Sequence, residues 1–161
     1  MRVVHQTIYE KINTILIEDA DLKSMVKYSE SLLNIRRGFA LVKEDWERLV
    51  LYYLQPEIPF GEVSMKILEI PLIVRVYDKN DDLQVGDIAE RLKLLLDGAN
   101  LSVTDKIHCY DCTYMGEIIA TNWNDEYKAF EKALRFVILA RIDGVVGNSG
   151  VPDTNRQRNY N

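Results

Sequence analysis

Apolar residues open the chain at helical spacing. Val4, Ile8, Ile12, Ile15 and Leu16 fall on one face, with Lys11 and Asn13 on the wet side, which predicts an amphipathic helix. Asp19 or Asp21 then offers the short acceptor that caps a further helical turn carrying Leu22, Met25 and Val26. Residues 27–42 show no clear period. Arg36, Arg37 and Gly38 read as an exposed turn with basic edges, while Leu32, Leu33, Ile35, Phe39 and Leu41 call for burial. From Leu49 to Leu54 the chain is aliphatic, β-branched or aromatic and stops at Gln55-Pro56, which favours a strand. A helix through Val42, Trp46, Leu49, Val50 and Tyr53 fits the period nearly as well.

Pro59 and Gly61 make a loop of Glu57 to Gly61. Val63 to Tyr77 reads as a long strand or bent pair. Pro71 interrupts it and belongs at an edge or bulge, because proline cannot donate to a ladder. After it, Leu72, Val74 and Val76 point one way and Ile73, Arg75 and Tyr77 the other. The loop Asp78-Lys79-Asn80-Asp81-Asp82 leads into the clearest helix, with an apolar stripe of Val85, Ile88, Ala89, Leu92, Leu95 and Leu96. Asp81 or Asp82 caps its start, and Asp97-Gly98 supplies a left-handed stop. Lys106 to Met115 alternates as a strand. Phe130 to Ile142 is ambiguous by period, but the run Phe136-Val137-Ile138-Leu139 favours a strand for at least its second half.

The order helix, strands, helix, strands predicts an α+β fold: a mostly antiparallel β-sheet with helices packed on one face. One domain is expected over residues 1–143. Residues 144–161 form a polar tail whose aliphatic anchors are Val145, Val146 and Val151. That is too little apolar area to offset the entropy of ordering it, so a neighbouring subunit is expected to hold it.

At 161 residues, with 47% hydrophobic and 28% charged, the chain has ordinary globular composition and can bury a core without metal or disulfides. No apolar run is long enough for a membrane span, and the start from Met1 to Thr7 turns polar too soon for a signal peptide. A chain made in a cytoplasm, with no membrane partner, is expected. The net charge of −5 argues against a protein that wraps DNA, since neutralising phosphates needs a basic surface. It suits a surface past which a duplex slides without being held.

Candidate chemistry is sparse. Cys109 and Cys112 form a lone Cys-x-x-Cys, short of the four ligands a structural zinc site wants. On a regular strand the two would also point to opposite faces. Asp78, Asp81, Asp82 and Asp87 lack the spacing of a calcium loop, so they read as a solvated loop and helix cap, or as an acidic surface facing a partner or lumen. There is no glycine-rich phosphate loop, no Gly-x-Ser-x-Gly, and only His5 and His108 to serve a triad. No catalytic residue, cofactor or metal is expected. Trp46, Tyr52, Tyr53, Phe60, Trp123 and Tyr127 read first as core filling, and Trp123 is also taken as an interface residue. Ile58, Phe60, Met65 and Leu68, set around Pro59 and Gly61, suit an arm that buries its side chains in a neighbour.

The stretch from Ile67 to Ile142 resembles the tail terminator (tail completion) proteins of long-tailed phages. The resemblance lies in Ile73-Val74-Arg75-Val76-Tyr77-Asp78, Ile88-Ala89-Glu90-Arg91-Leu92, Leu95-Leu96-Asp97-Gly98 and the closing Leu134-Arg135-Phe136-Val137-Ile138-Leu139-Ala140-Arg141. The N-terminal helix and its short turn fit too, so it extends over most of residues 4–142. It rests on pattern rather than an invariant motif. It implies a small α+β virion protein without active site or cofactor. Such a protein forms a homohexameric ring that caps the tail tube, joins it to the head connector and lets genomic DNA pass. The long Pro-containing segment from Glu57 to Pro71 and the polar tail depart from the family. The runner-up is another neck protein, a head-closure protein or adaptor. A reading of a different class is a small metal or redox protein using Cys109 and Cys112.

Overall fold

The computed structural model describes residues 2–38, 46–60, 67–102 and 107–142. The first helix, α1 (Arg2–Glu18), buries Val4, Ile8, Ile12 and Leu16 completely, because a spacing of four sets them in one row. Asn13 is half-buried rather than wet, and its Oδ1 accepts the Tyr52 hydroxyl at 2.7 Å. The second, α2 (Ala20–Val26), is capped by Asp19, whose carboxylate accepts the Leu22 N–H at 2.8 Å. Lys27, at φ 54°, ends it by donating to the carbonyls of Lys23 and Ser24.

Six strands follow: β1 (Ile35–Arg37), β2 (Arg48–Leu54), β3 (Ile58–Phe60), β4 (Ile67–Asp78), β5 (Ile107–Asn124) and β6 (Ala129–Ile142). Helix α3 (Asp82–Leu96) lies between β4 and β5. The sheet order is β1-β2-β4-β6-β5, with β3 also paired to β4. β1 runs parallel to β2 and every other pair is antiparallel. The fold is therefore α+β, as the pattern predicts. Phe130 to Ile142 is strand throughout, since β6 pairs along its length with both β4 and β5.

Several local expectations need correction. Arg36 and Arg37 lie in a strand, not a turn, because Ile35 is drawn into the core beside Val50. Leu32 and Leu33 are exposed rather than buried. The expected loop at Glu57 contains β3. Pro71 is neither at an edge nor at a bulge but buried in the central strand β4, opposite Val137. It is tolerated because its carbonyl accepts the Gln55 N–H at 2.8 Å, so its nitrogen faces the same side. There β2 has ended at Leu54 and β3 has not begun. No ladder donor is lost. Phe39, Leu41, Val42, Gly61, Val63, Lys106 and the tail 144–161 lie outside the described residues.

The helices share one face of the sheet. The main core joins Leu16 and Val26 with Ile88, Leu92 and Leu96, and sets them against Val50, Leu72, Val74, Leu134, Phe136 and Ile138. On the opposite face a smaller cluster joins Trp46, Leu49, Leu51, Tyr77 and Ala129. Asn34 locks the base of the first layer. Its Nδ2 donates to the Val26 carbonyl at 3.0 Å and its Oδ1 accepts the Ser29 N–H at 2.9 Å, so a buried amide closes the end of α2 onto β1.

Candidate interaction surfaces

The expected site residues divide sharply by burial. Leu68 is part of the main core, so it is spent within the fold and not on a partner. Asp78 is not a partner-facing carboxylate either. Its side chain is fully buried, accepts Arg48 Nε at 2.8 Å, and accepts the N–H groups of Asn80 and Asp81 at 2.8 and 3.0 Å. It ties the end of β4 to β2 and shapes the turn into α3. Asp81 accepts the N–H of Leu83 at 2.9 Å as the cap of α3, and Asp82 is exposed in its first turn. Ile58 and Trp123 are 50% and 44% exposed. Phe60 is the last residue of β3, and Met65 lies outside the described residues.

Cys109 and Cys112 do not point to opposite faces. The register shift between Cys109 and Asp111 inserts one extra residue, and both cysteines turn into the main core. Burial pushes the Cys109 thiol up to about 11. Burial first, then the nearby Asp97, Cys109 and Asp111, pushes Cys112 up to about 12. A reactive or ligating cysteine needs the opposite shift, towards thiolate. Among the described residues no group of three or more His, Cys, Asp and Glu side chains could hold a metal ion. Neither thiol is expected to react with a maleimide at pH 7 until the chain unfolds, as mass spectrometry of labelled native and urea-unfolded protein would show. The raised thiols also set a sign for pH dependence. Between the ordinary thiol value of 9.0 and about 11 the unfolded chain loses protons that the folded chain keeps, so stability falls as pH rises through that window. A melting temperature flat from pH 9 to 11, or fast labelling of folded protein, would contradict the buried placement.

The two edges of the sheet differ in chemistry. The first part of β5 is covered. Gly98 N–H donates to the Cys112 carbonyl at 2.7 Å, Tyr114 N–H to Asp97 Oδ1 at 2.9 Å, and Cys109 N–H to Ser102 Oγ at 3.1 Å. Beyond Gly116 no strand among the described residues pairs with the outer side of β5. That stretch shows Ile118 and Trp123 to solvent, and Met115 is exposed just before it. Between Asp111 and Glu126 the carboxylates are Asp111, Glu117, Asp125 and Glu126, with no lysine or arginine. Sequence alternation alone could not find Met115 and Ile118, because register shifts at both positions break the period of two.

At the other edge, β1 and α1 border a hollow of about 290 Å³ lined by Tyr9, Tyr28, Leu33, Arg37 and Tyr52 among others. Arg37 lies over the Tyr9 ring at 4.9 Å and donates to Gln6 Oε1 at 2.7 Å. The Tyr9 hydroxyl accepts the Leu54 N–H at 2.6 Å, which fixes the ring as one wall. Leu33 stands at φ 49°, a conformation unfavourable for leucine, and is half exposed.

Among the described residues no helix is long and apolar enough to cross a membrane. No protein-family model matches the sequence. No curated protein matches it either. The fold, however, is similar to that of a chain in the solved virion of a native gene transfer agent particle. The match covers 83% of this chain and 92% of that chain, with a TM-score of 0.58 and 14% identity, and so establishes a shared fold.

Proposed function

We propose that this protein is a structural component of a phage or phage-like virion. Within that class we read it as the ring that terminates the tail tube and joins it to the head connector. The observation that carries the reading is the fold shared with nearly the whole of a chain from an assembled gene transfer agent virion. The segments of the terminator-like pattern fall on the central and closing strands and on α3, the elements that carry the core. Its partners are then further copies of itself, the tail tube protein and the connector or head-closure protein. Genomic DNA passes through the lumen without specific binding. The role needs neither catalysis nor a cofactor, and the high thiol pKa values at Cys109 and Cys112 disfavour the redox alternative. Localisation in the neck of the particle follows from the same reading.

Deleting the coding sequence and imaging the particles by electron microscopy tests it. Overlong tails, or tails detached from filled heads, are expected. Tails of normal length on intact particles would refute the terminator role. Normal tails beside heads that leak DNA would support head closure instead.

A further inference from the structure

We propose that the half of β5 beyond Gly116, whose outer side pairs with no strand among the described residues, docks in one copy head-to-tail on the β1 edge of the next copy, with Ile118 and Trp123 set against the Leu33–Arg37 hollow. The inference deepens the ring reading and rests on it. Four observations lead to it. The strand senses come first. β1 and β2 run together and each later neighbour reverses, so β5 runs opposite to β1. A copy related by rotation about an axis along the strands therefore brings its β1 antiparallel to β5 of its neighbour, the geometry that strand edges pair in.

Height across the sheet is the second observation. Following the register, Arg37 lies opposite Tyr52, Tyr52 opposite Val74, Val74 opposite Leu134 and Leu134 opposite Glu117. By the same route Arg36 reaches Ile119 through Leu51, Arg75 and Ala133. The level of β1 thus meets β5 where the covering segment 97–102 has ended. Charge is the third, and it is the weakest. Glu117 is paired with Lys132 at 2.7 Å and Asp125 with Lys128 at 3.8 Å, and Arg37 of β1 already donates to Gln6, so neither edge carries a large unbalanced charge that would repel a neighbour. Shape is the fourth. Exposed apolar side chains stand at one edge, and a hollow walled by tyrosines and an arginine lies at the other. Trp, Tyr and Arg are the residue types that anchor protein interfaces. Leucine held at φ 49° in the open is costly for a lone chain and has a use when a neighbour covers it. The short β1 and the irregular β5 limit how long a ladder the edges can form, which directs the contact towards side-chain docking.

A mixing experiment with Leu33→Asp and Ile118→Lys tests the pairing. Aspartate tolerates positive φ and both positions are half exposed, so both variants are expected to keep the melting temperature of the parent. Each places a charge in a contact that is otherwise made by apolar side chains. By light scattering on a sizing column, the parent chain at high concentration runs as a closed multimer. Each variant alone should run as a monomer, with self-association weakened at least ~10-fold. Mixed in equal amounts, the variants should re-associate into species with an even number of chains. The intact β5 edge of Leu33→Asp meets the intact β1 edge of Ile118→Lys, and the other junction sets the introduced carboxylate against the introduced ammonium. Variants that stay multimeric, or a mixture that stays monomeric beside a multimeric parent, would overturn the edge pairing and leave the ring standing. A parent chain that is monomeric at every concentration would overturn both.

Discussion

Asp78→Ala should cost about 3–5 kcal/mol of folding stability, the range for removing one partner of a buried ion pair. The carboxylate has no exposed surface, and the Arg48 side chain that it holds is only 16% exposed. Removing it strands the Arg48 guanidinium and orphans the N–H groups of Asn80 and Asp81. Arg48 keeps one partner, the Met25 carbonyl at 2.6 Å, which a lone cation satisfies only in part. Asp78→Asn should fall between parent and Ala, because its carbonyl can still accept from the turn while the charge is gone. Urea unfolding of the three chains measures this. If Asp78 instead faced a partner, Ala would leave the unfolding midpoint unchanged and weaken assembly.

Leu92→Ala should cost about 2–5 kcal/mol through the cavity it leaves. Leu92 is wholly buried between α3 and the sheet, in the same cluster as Phe136, Leu134 and Val74. Leu95 lies at the margin of that cluster, so Leu95→Ala should lose less. Leu94, which is 74% exposed, and Glu90 on the solvent side should be silent as alanines. Equal melting temperatures for Leu92→Ala and Leu94→Ala would show that α3 does not pack by this face.

Period was legible in the sequence wherever an element was long enough to repeat it. The stripes of α1 and α3 and the alternation after Pro71 in β4 fall where spacing puts them, and Asp19 and Asp81 cap as short acceptors do. Elements that depend on distant partners were not legible. β1 and β3 are three residues each and exist because β2 and β4 offer them an edge. Pro71 is decided by where β2 stops, which no local pattern encodes. In β5 the register shifts reset the phase, so alternation misplaced Cys109 and Cys112 and gave no signal at Met115 or Ile118. The acidic loop misled for a related reason. Composition cannot tell a solvated aspartate from one whose arginine lies thirty residues earlier, as Arg48 does from Asp78. Asn34 has no signal in the sequence, because its bonds go to the end of α2 and to Ser29, which no pattern of polarity reveals.

The charge pair Arg91–Asp19, at 2.6 Å, links α3 to the cap of α2. Its hydrogen bond from Arg91 holds the Asp19 carboxyl below its usual value, against the opposing effect of burial. That contribution is present above the ordinary carboxylate value and is lost as pH falls through the lowered one. It gives the helical layer an acid limit opposite to the alkaline limit set by the buried thiols.

Locating the chain in purified particles tests the central claim most directly. An antibody raised to the folded protein, with gold detection in electron micrographs, should mark one locus per particle, at the junction of head and tail. Label scattered along the tail, or particles that carry none of the chain while it stays in the soluble lysate, would contradict the account.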